Sequence, residues 1–138
     1  MTPLLDAASE KGARAERRLR EELVIWLTTV RGDGQPQSIP VWFWWDGESF
    51  LVYVKPGQKL ANLRSNPRVA LNLNTNPAGG DVVRFEGTAE ALAGHPPAYQ
   101  VPQYLEKYRA RIERNSWTPE SFSDEYSQAL RILPSVLR

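Results

Sequence analysis

The sequence has 138 residues, the length of a single domain, and its 41% hydrophobic and 24% charged residues are typical of a folded globular chain. Seventeen basic against sixteen acidic residues leave a net charge of +1, so the overall charge does not indicate a nucleic-acid partner. No cysteine, secretion leader or apolar run near the ~20 residues of a membrane span is present, which excludes disulfides and thiolate sites and favours a cytoplasmic protein with no membrane partner.

The first half of the chain predicts one helix followed by three strands. Ala15, Leu19 and Leu23 recur at the spacing of an amphipathic surface helix within residues 9–23, which are rich in Glu, Arg and Ala. Segments dense in β-branched and aromatic residues then alternate with glycine-containing turns at 32–34 and 46–47, which predicts two successive hairpins. The three predicted strands are residues 24–30, 35–45 and 48–55.

One stretch of the second predicted strand is dense in aromatic residues. Side chains of a strand alternate between the faces of the sheet, so Val41, Phe43 and Trp45 are expected on one face and Trp42 and Trp44 on the other. Both faces must then be covered, one by a barrel interior and the other by a partner chain or a ligand. The tryptophans either fill the barrel and a subunit interface or lie beside a bound ring system.

A short helix with a candidate anion site is predicted after the third strand. The pair Pro56-Gly57 ends that strand, Gln58-Lys59 begins a helical pattern, and Asn66-Pro67 ends it before a strand at 69–73. The free backbone N–H groups and the positive dipole end of a helix N-terminus stabilise an anion. Lys59 in the first turn opposes that dipole, which is explained if a phosphate lies between them. A solvated lysine is the alternative.

The second half predicts two further strands around a helical segment. A loop at 75–80 precedes a long strand, in which Gly87 indicates a bend or bulge. The strand ends at a Gly/Pro-rich loop, and His95 in that loop is assigned no role. One helix carries Tyr104 and Tyr108 at helical spacing, and a second begins at Thr118-Pro119 and ends near residue 126. The predicted elements are strands at 81–92 and 128–133 and a first helix at 101–114.

Five sequence motifs occur in the order and spacing of a known family. They are Leu27-Thr-Thr-Val30, Asp33-Gly-Gln-Pro36, Ile39-Pro-Val-Trp-Phe43, Lys59-Leu-Ala-Asn-Leu-Arg-Ser-Asn-Pro-Arg-Val-Ala-Leu71 and Phe85-Glu-Gly-Thr-Ala89. Through them the chain resembles the pyridoxamine-5′-phosphate-oxidase-like split β-barrel family over most of residues 22–92. Its small size is similar to that of the branch that binds the deazaflavin F420 or FMN.

The resemblance implies an α+β fold that is mainly β with peripheral helices, built on an antiparallel, six-stranded split β-barrel like that of FMN-binding proteins. A single domain is then expected over residues 1–138, with an N-terminal helical segment at 1–22 and a helical insertion at 97–126 before the last strand. The resemblance also implies a homodimer with two cofactor sites at the subunit interface. Asn115, Ser116 and Trp117 follow the first helix of the insertion and either pack between helices or line the partner's site.

The resemblance further implies which residues hold the cofactor, F420 or FMN. The phosphate is expected at the helix after the third strand, and the ring against the second and third strands. The phosphate residues are Lys55, Gln58, Lys59 and Asn62, and the ring residues are Gln37, Ser38, Pro40, Val41, Trp42 and Val54. Arg64 is a candidate for the acidic tail of F420. Many relatives carry a small hydroxyl residue where this chain has Gln58.

A flavin or deazaflavin carries the hydride itself, so no catalytic side chain and no metal ligand is assigned. The predicted function is a flavin- or deazaflavin-dependent oxidoreductase that transfers hydride from reduced F420, or FMN, to a small conjugated or aromatic organic substrate. The alternative is a protein that binds and stores F420, FMN or haem without turnover. A barrel that binds single-stranded nucleic acid through stacked aromatic side chains is disfavoured by the near-neutral charge.

Overall fold

The computed structural model describes residues 5, 6 and 8–138, so residues 1–4 and 7 of the expected 1–22 helical segment lie outside the described residues. These residues form a seven-stranded, fully antiparallel sheet with four α-helices and one short 3-10 helix. The strands are β1 (Ile25–Val30), β2 (Pro36–Val41), β3 (Trp44–Trp45), β4 (Phe50–Val54), β5 (Arg68–Leu73), β6 (Arg84–Leu92) and β7 (Gln128–Leu137). The helices are α1 (Glu10–Glu21), α2 (Gln58–Ser65), α3 (Pro102–Arg114) and α4 (Pro119–Glu125). The predicted fold class is confirmed, with seven strands instead of six.

The order of the strands requires the sheet to curl into a barrel. The order is β2-β1-β5-β6-β7-β4-β3, which places β2 at one edge and β3 at the other. Only Trp42 and Phe43 separate the end of β2 from the start of β3. Since consecutive Cα atoms are 3.8 Å apart, the Val41 and Trp44 Cα atoms lie within about 11 Å of each other. The two edges of the sheet therefore approach each other.

The continuous strand predicted at 35–45 is wrong, because it is interrupted at Trp42 and Phe43. The two predicted hairpins are present as β1–β2 and β3–β4, but no single strand joins them. At the interruption the Phe43 backbone forms hydrogen bonds with α3 and, among the described residues, with no strand. Its N–H donates to the Tyr108 hydroxyl at 2.8 Å, and its carbonyl accepts from Lys107 Nζ at 2.9 Å. Helix α3 thus supplies the partners that a neighbouring strand supplies elsewhere.

The aromatic residues of the second hairpin alternate as predicted. Val41, Phe43 and Trp45 belong to the apolar core inside the barrel. Trp42 and Trp44 pack on the opposite face, in a second cluster formed with α3 and α4. The expectation that a partner chain or a ligand covers this second face needs correction, because these helices of the same chain cover much of it.

Two further sequence predictions are tested by β6 and β7. The strand predicted at 81–92 begins at Arg84, and the last strand, predicted at 128–133, continues to Leu137. The predicted irregularity at Gly87 is confirmed by a register shift between Glu86 and Gly87. A Cβ atom on Gly87 would lie 2.4 Å from the Leu133 carbonyl oxygen, so glycine allows this close approach. Within the described part of the chain, no helix has the length and apolar character needed to cross a membrane.

Candidate functional site

Most of the predicted site residues lie around two adjoining hollows on one side of the barrel. The first, here called the groove, has a volume of about 350 Å³ and lies at the N-terminus of α2. The second, here called the cavity, has a volume of about 320 Å³ and lies between the sheet and helices α3 and α4. Ile39, Lys55 and Lys59 line both hollows. The two hollows can therefore serve one elongated ligand.

The groove exposes the first backbone N–H groups of α2. Strand β4 ends at Val54, two residues before Pro56, and the helix begins after Gly57 with no side-chain cap. The amides of Leu60 and Ala61 donate to the Gly57 carbonyl at 3.1 and 3.3 Å. Among the described residues, the amides of Gln58 and Lys59 have no acceptor. Two free donors at the positive end of a helix dipole are suited to an anion.

Two lysine side chains concentrate positive charge at the junction of the groove and the cavity. Lys59 is half-buried, and burial together with the nearby charge of Lys55 lowers its pKa. Lys55 lies 3.7 Å from a Glu125 carboxylate oxygen and 5.3 Å from the centre of the Tyr126 ring. No carboxylate of the described residues forms an ion pair with Lys59. An anion bound here would relieve the repulsion between the two ammonium groups.

Asn62 lies beneath the groove and holds two glutamines in place. Only 1% of Asn62 is exposed. Its Oδ1 accepts from Gln58 Nε2 at 2.8 Å, and its Nδ2 donates to Gln37 Oε1 at 2.9 Å and to Thr29 Oγ1 at 3.0 Å. The Gln37 amide nitrogen keeps its own hydrogens without a partner among the described residues. Asn62 therefore positions Gln37 and Gln58 and does not itself line either hollow.

The cavity has walls of aromatic side chains from both the sheet and the helices. Trp42 is stacked on Tyr108, with ring centres 4.7 Å apart and planes within 5°. It is also stacked on Phe122 at 5.4 Å and meets the edge of Trp117 at 6.5 Å. Tyr126 is stacked on Phe122 in turn, at 4.8 Å. Such surfaces are suited to a flat, apolar ligand.

Three tyrosines beside the cavity differ in what their hydroxyl groups contact. Tyr108 accepts from the Phe43 amide and lies 2.7 and 2.9 Å from the Leu23 and Phe43 carbonyl oxygens. The Tyr53 hydroxyl donates to the Pro96 carbonyl at 2.8 Å, and burial raises the pKa of Tyr53 to about 12. The Tyr104 hydroxyl is buried without a hydrogen-bond partner among the described residues. Burial raises the pKa of Tyr104 well above its ordinary value, so its hydroxyl stays protonated.

The structure brings nine of the eleven predicted site residues to the two hollows. The nine are Gln37, Ser38, Pro40, Val41, Trp42, Val54, Lys55, Gln58 and Lys59. Asn62 lies below the groove, and Arg64 is exposed on α2 and lines neither hollow.

Sequence reasoning missed the helical wall of the cavity. Tyr104, Phe122 and Tyr126 line it, together with Asn115 and Trp117. Of the alternatives for the segment 115–117, packing between helices holds for Trp117, which contacts Phe122 and Tyr126. The spacing of aromatic residues in α3 and α4 predicts that each helix has a buried face. It does not predict which strand that face packs against.

The curled antiparallel sheet with its peripheral helices is the architecture of the split-barrel class. The chain belongs to the pyridoxamine 5′-phosphate oxidase family, whose sequence model matches residues 12–137. This confirms the resemblance found in the sequence.

Three solved structures illustrate the likeness. An F420 reductase is 26% identical, with 89% of this chain and 94% of the reductase covered and a TM-score of 0.65. A conserved hypothetical protein from Mycobacterium tuberculosis is 23% identical, with coverage of 100% and 86% and a TM-score of 0.72. The haem storage protein HutZ from Vibrio cholerae is 17% identical, with coverage of 89% and 90% and a TM-score of 0.61. The last two likenesses support the fold alone.

Proposed function

We propose that the chain is an oxidoreductase that binds F420, or FMN as the second candidate, and reduces a small organic substrate. The observation that carries this proposal is the half-buried Lys59 beside the free N–H groups of α2, at the entrance to an aromatic cavity. The groove can thereby bind the anionic end of a ligand, and the adjoining cavity can bind its flat end. The alternative, a protein that stores the cofactor without turnover, needs the same contacts.

The phosphate of the cofactor is proposed to lie in the groove. The amides of Gln58 and Lys59 would donate to it, and the ammonium groups of Lys55 and Lys59 would neutralise its charge. Gln37, held by Asn62, offers a further amide donor at the same place. The like charges of Lys55 and Lys59 are unfavourable without an anion, so the groove is prepared for one.

The ring of the cofactor is proposed to lie along Pro40, Val41 and Trp42 of the β2 end and against Val54 of β4. Val41 and Val54 line the cavity at these strand ends although their side chains belong to the barrel core. When bound, F420 or FMN supplies the hydride, and the chain's own residues orient the ring and exclude water from it. The likeness to an F420 reductase at 26% identity supports the deazaflavin. Haem is less suited, because the sole histidine, His95, lines neither hollow.

The first test is a pair of fluorescence titrations of the purified full chain with F420 and with FMN. Lys59→Ala is expected to weaken binding by about 1.5–3 kcal/mol, roughly ten- to hundredfold, because a hydrogen bond to a charged group is lost. Lys11→Ala is the matched control, since Lys11 is an exposed lysine of α1 away from both hollows. Equal affinities of the two variants, or no binding of either cofactor, would contradict the proposal.

Two added measurements sharpen this test. If the acidic tail of F420 reaches α2, Arg64→Ala should weaken the binding of F420 but not that of FMN. Substrate-dependent reoxidation of the reduced cofactor separates an oxidoreductase from a storage protein.

We also propose a homodimer, as the resemblance implies. Light scattering on the same samples should then give twice the 15.7 kDa of one chain, and a monomer mass would refute it.

A further inference from the structure

We propose that the inner end of the cavity binds the substrate, a neutral, flat, aromatic or conjugated molecule with a carbonyl-type oxygen, and that the Tyr104 hydroxyl donates to that oxygen. The assignment of this ligand as the substrate rests on the proposed function. The pocket itself rests on the unpartnered hydroxyl and on the chemistry of the walls.

The unpartnered hydroxyl of Tyr104 is the first observation. Tyr104 lines the cavity and is 0% exposed, yet its hydroxyl has no hydrogen-bond partner among the described residues. Buried polar atoms are almost always paired, and leaving one unpaired is unfavourable. A ligand oxygen at the inner end of the cavity would provide the missing acceptor once neighbouring side chains shift enough to expose the hydroxyl.

Tyr108 shows that the missing partner is particular to Tyr104. It lies one helical turn further along α3, is also 0% exposed, and is in ring contact with Tyr104 at 4.9 Å. Its hydroxyl has partners at Leu23 and Phe43. The same layer therefore provides hydrogen-bond partners for the buried Tyr108 hydroxyl but none for that of Tyr104, which a ligand could supply.

The walls of the cavity restrict the ligand further. Lys55 and Lys59 are the charged residues among the described lining, and both lie at the end shared with the groove. The remaining lining is aromatic, aliphatic or neutral polar, which favours a neutral ligand. The whole cavity has a volume of about 320 Å³, near the lower end of the ~300–1,000 Å³ of ligand pockets. The cofactor ring is proposed to occupy part of it, so the substrate at the inner end must be small.

The test uses two probes of the same shape, 1-indanone and indane, which differ in one carbonyl oxygen. Each is titrated into the ¹⁵N-labelled full chain while the five tryptophan indole N–H signals are followed, since Trp42 and Trp117 line the cavity. The native chain is expected to bind the ketone about tenfold more tightly than the hydrocarbon. In Tyr104→Phe that preference should vanish, with indane binding unchanged.

A thermal unfolding experiment separates a ligand contact from a structural role. Tyr104→Phe removes an unpaired hydroxyl and should leave the Tm unchanged or higher. A fall in Tm would mean that the hydroxyl is paired inside the protein and would overturn the proposal.

Other outcomes distinguish this inference from the proposed function. No binding of either probe, or a ketone preference that survives in Tyr104→Phe, would overturn the inference while leaving the cofactor titrations untouched. Loss of F420 or FMN binding in Tyr104→Phe would also overturn it, because the hydroxyl would then serve the cofactor. A ketone preference without cofactor binding would support the pocket and refute the proposed function.

Discussion

The two faces of strand β4 lie in different surroundings. Phe50, Val52 and Val54 point into the barrel, where the neighbouring side chains are apolar. Leu51 and Tyr53 point outward into the layer under α3 and α4, where tyrosines and tryptophans dominate. The barrel interior is filled with packed apolar side chains, whereas the outer layer contains a cavity and the unpaired hydroxyl of Tyr104. The two faces of β4 thus differ: one packs in the barrel core, and the other faces the layer in which we propose that the substrate binds.

The largest effect should come from opening the barrel interior. Phe50 is fully buried and contacts Phe43, Trp45 and Phe85 with ring centres 5.8, 4.7 and 5.4 Å away. Phe50→Ala is expected to lower the free energy of unfolding by about 3–5 kcal/mol, because the removed ring leaves a void. Urea unfolding measures the loss. Leu133→Ala is the control on β7, 48% exposed and expected within about 0.5 kcal/mol of the native chain. Similar losses in both variants would contradict the comparison.

A smaller effect is expected from the paired tyrosine of the outer layer. Tyr108→Phe leaves the Phe43 amide and two carbonyl groups without this partner, so the free energy of unfolding should fall by about 1–3 kcal/mol. Urea unfolding beside Tyr104→Phe makes the measurement decisive, since the two changes remove the same atom from neighbouring turns of α3. Equal losses would show that the outer layer does not distinguish the two hydroxyls.

The smallest effect is the pH dependence of cofactor affinity at the groove. Burial and Lys55 lower the pKa of Lys59 below its ordinary 10.5, and only the ammonium form attracts the phosphate. Affinity should therefore weaken as the pH rises through this lowered pKa, before an ordinary lysine would lose its proton. Titrations from about pH 7 to pH 10 test this, with Lys59→Arg as the control that keeps its charge. An identical pH profile in that variant would show that another group titrates.

Local patterns predicted most elements of the fold. The helices at α1 and α2, the alternation of Trp42 and Phe43, and the irregularity at Gly87 all follow from spacing or from one special residue. The interruption of the strand at Trp42 and Phe43 was not predictable in this way. Both residues have high β propensity, and the interruption lies where the chain passes from one edge of the curled sheet to the other, which only the tertiary structure specifies.

The candidate site was predictable on one side only. Groove residues 55–59 follow one another into the start of α2, and the family resemblance adds Gln37 and Ser38 of β2. Phe122 and Tyr126 reach the cavity through tertiary packing of α4, which no local pattern specifies. Tyr104 and Tyr108 are both tyrosines, on neighbouring turns of α3. Their hydroxyl groups differ in hydrogen bonding because only Tyr108 lies at the Phe43 backbone, which is distant in sequence.

The bond between the Phe43 amide and the Tyr108 hydroxyl also makes one backbone proton a reporter of helix undocking. Amides of β1 and β5 are protected from hydrogen–deuterium exchange by the sheet, so they exchange when the barrel opens. The Phe43 amide is protected by a side chain of α3, at 2.8 Å, so it exchanges whenever that helix lifts from the barrel. A molecule that binds in the cavity and holds α3 against the barrel would slow exchange at Phe43 while leaving the β1 and β5 amides unaffected. Occupancy of the cavity is thus readable at a single backbone atom.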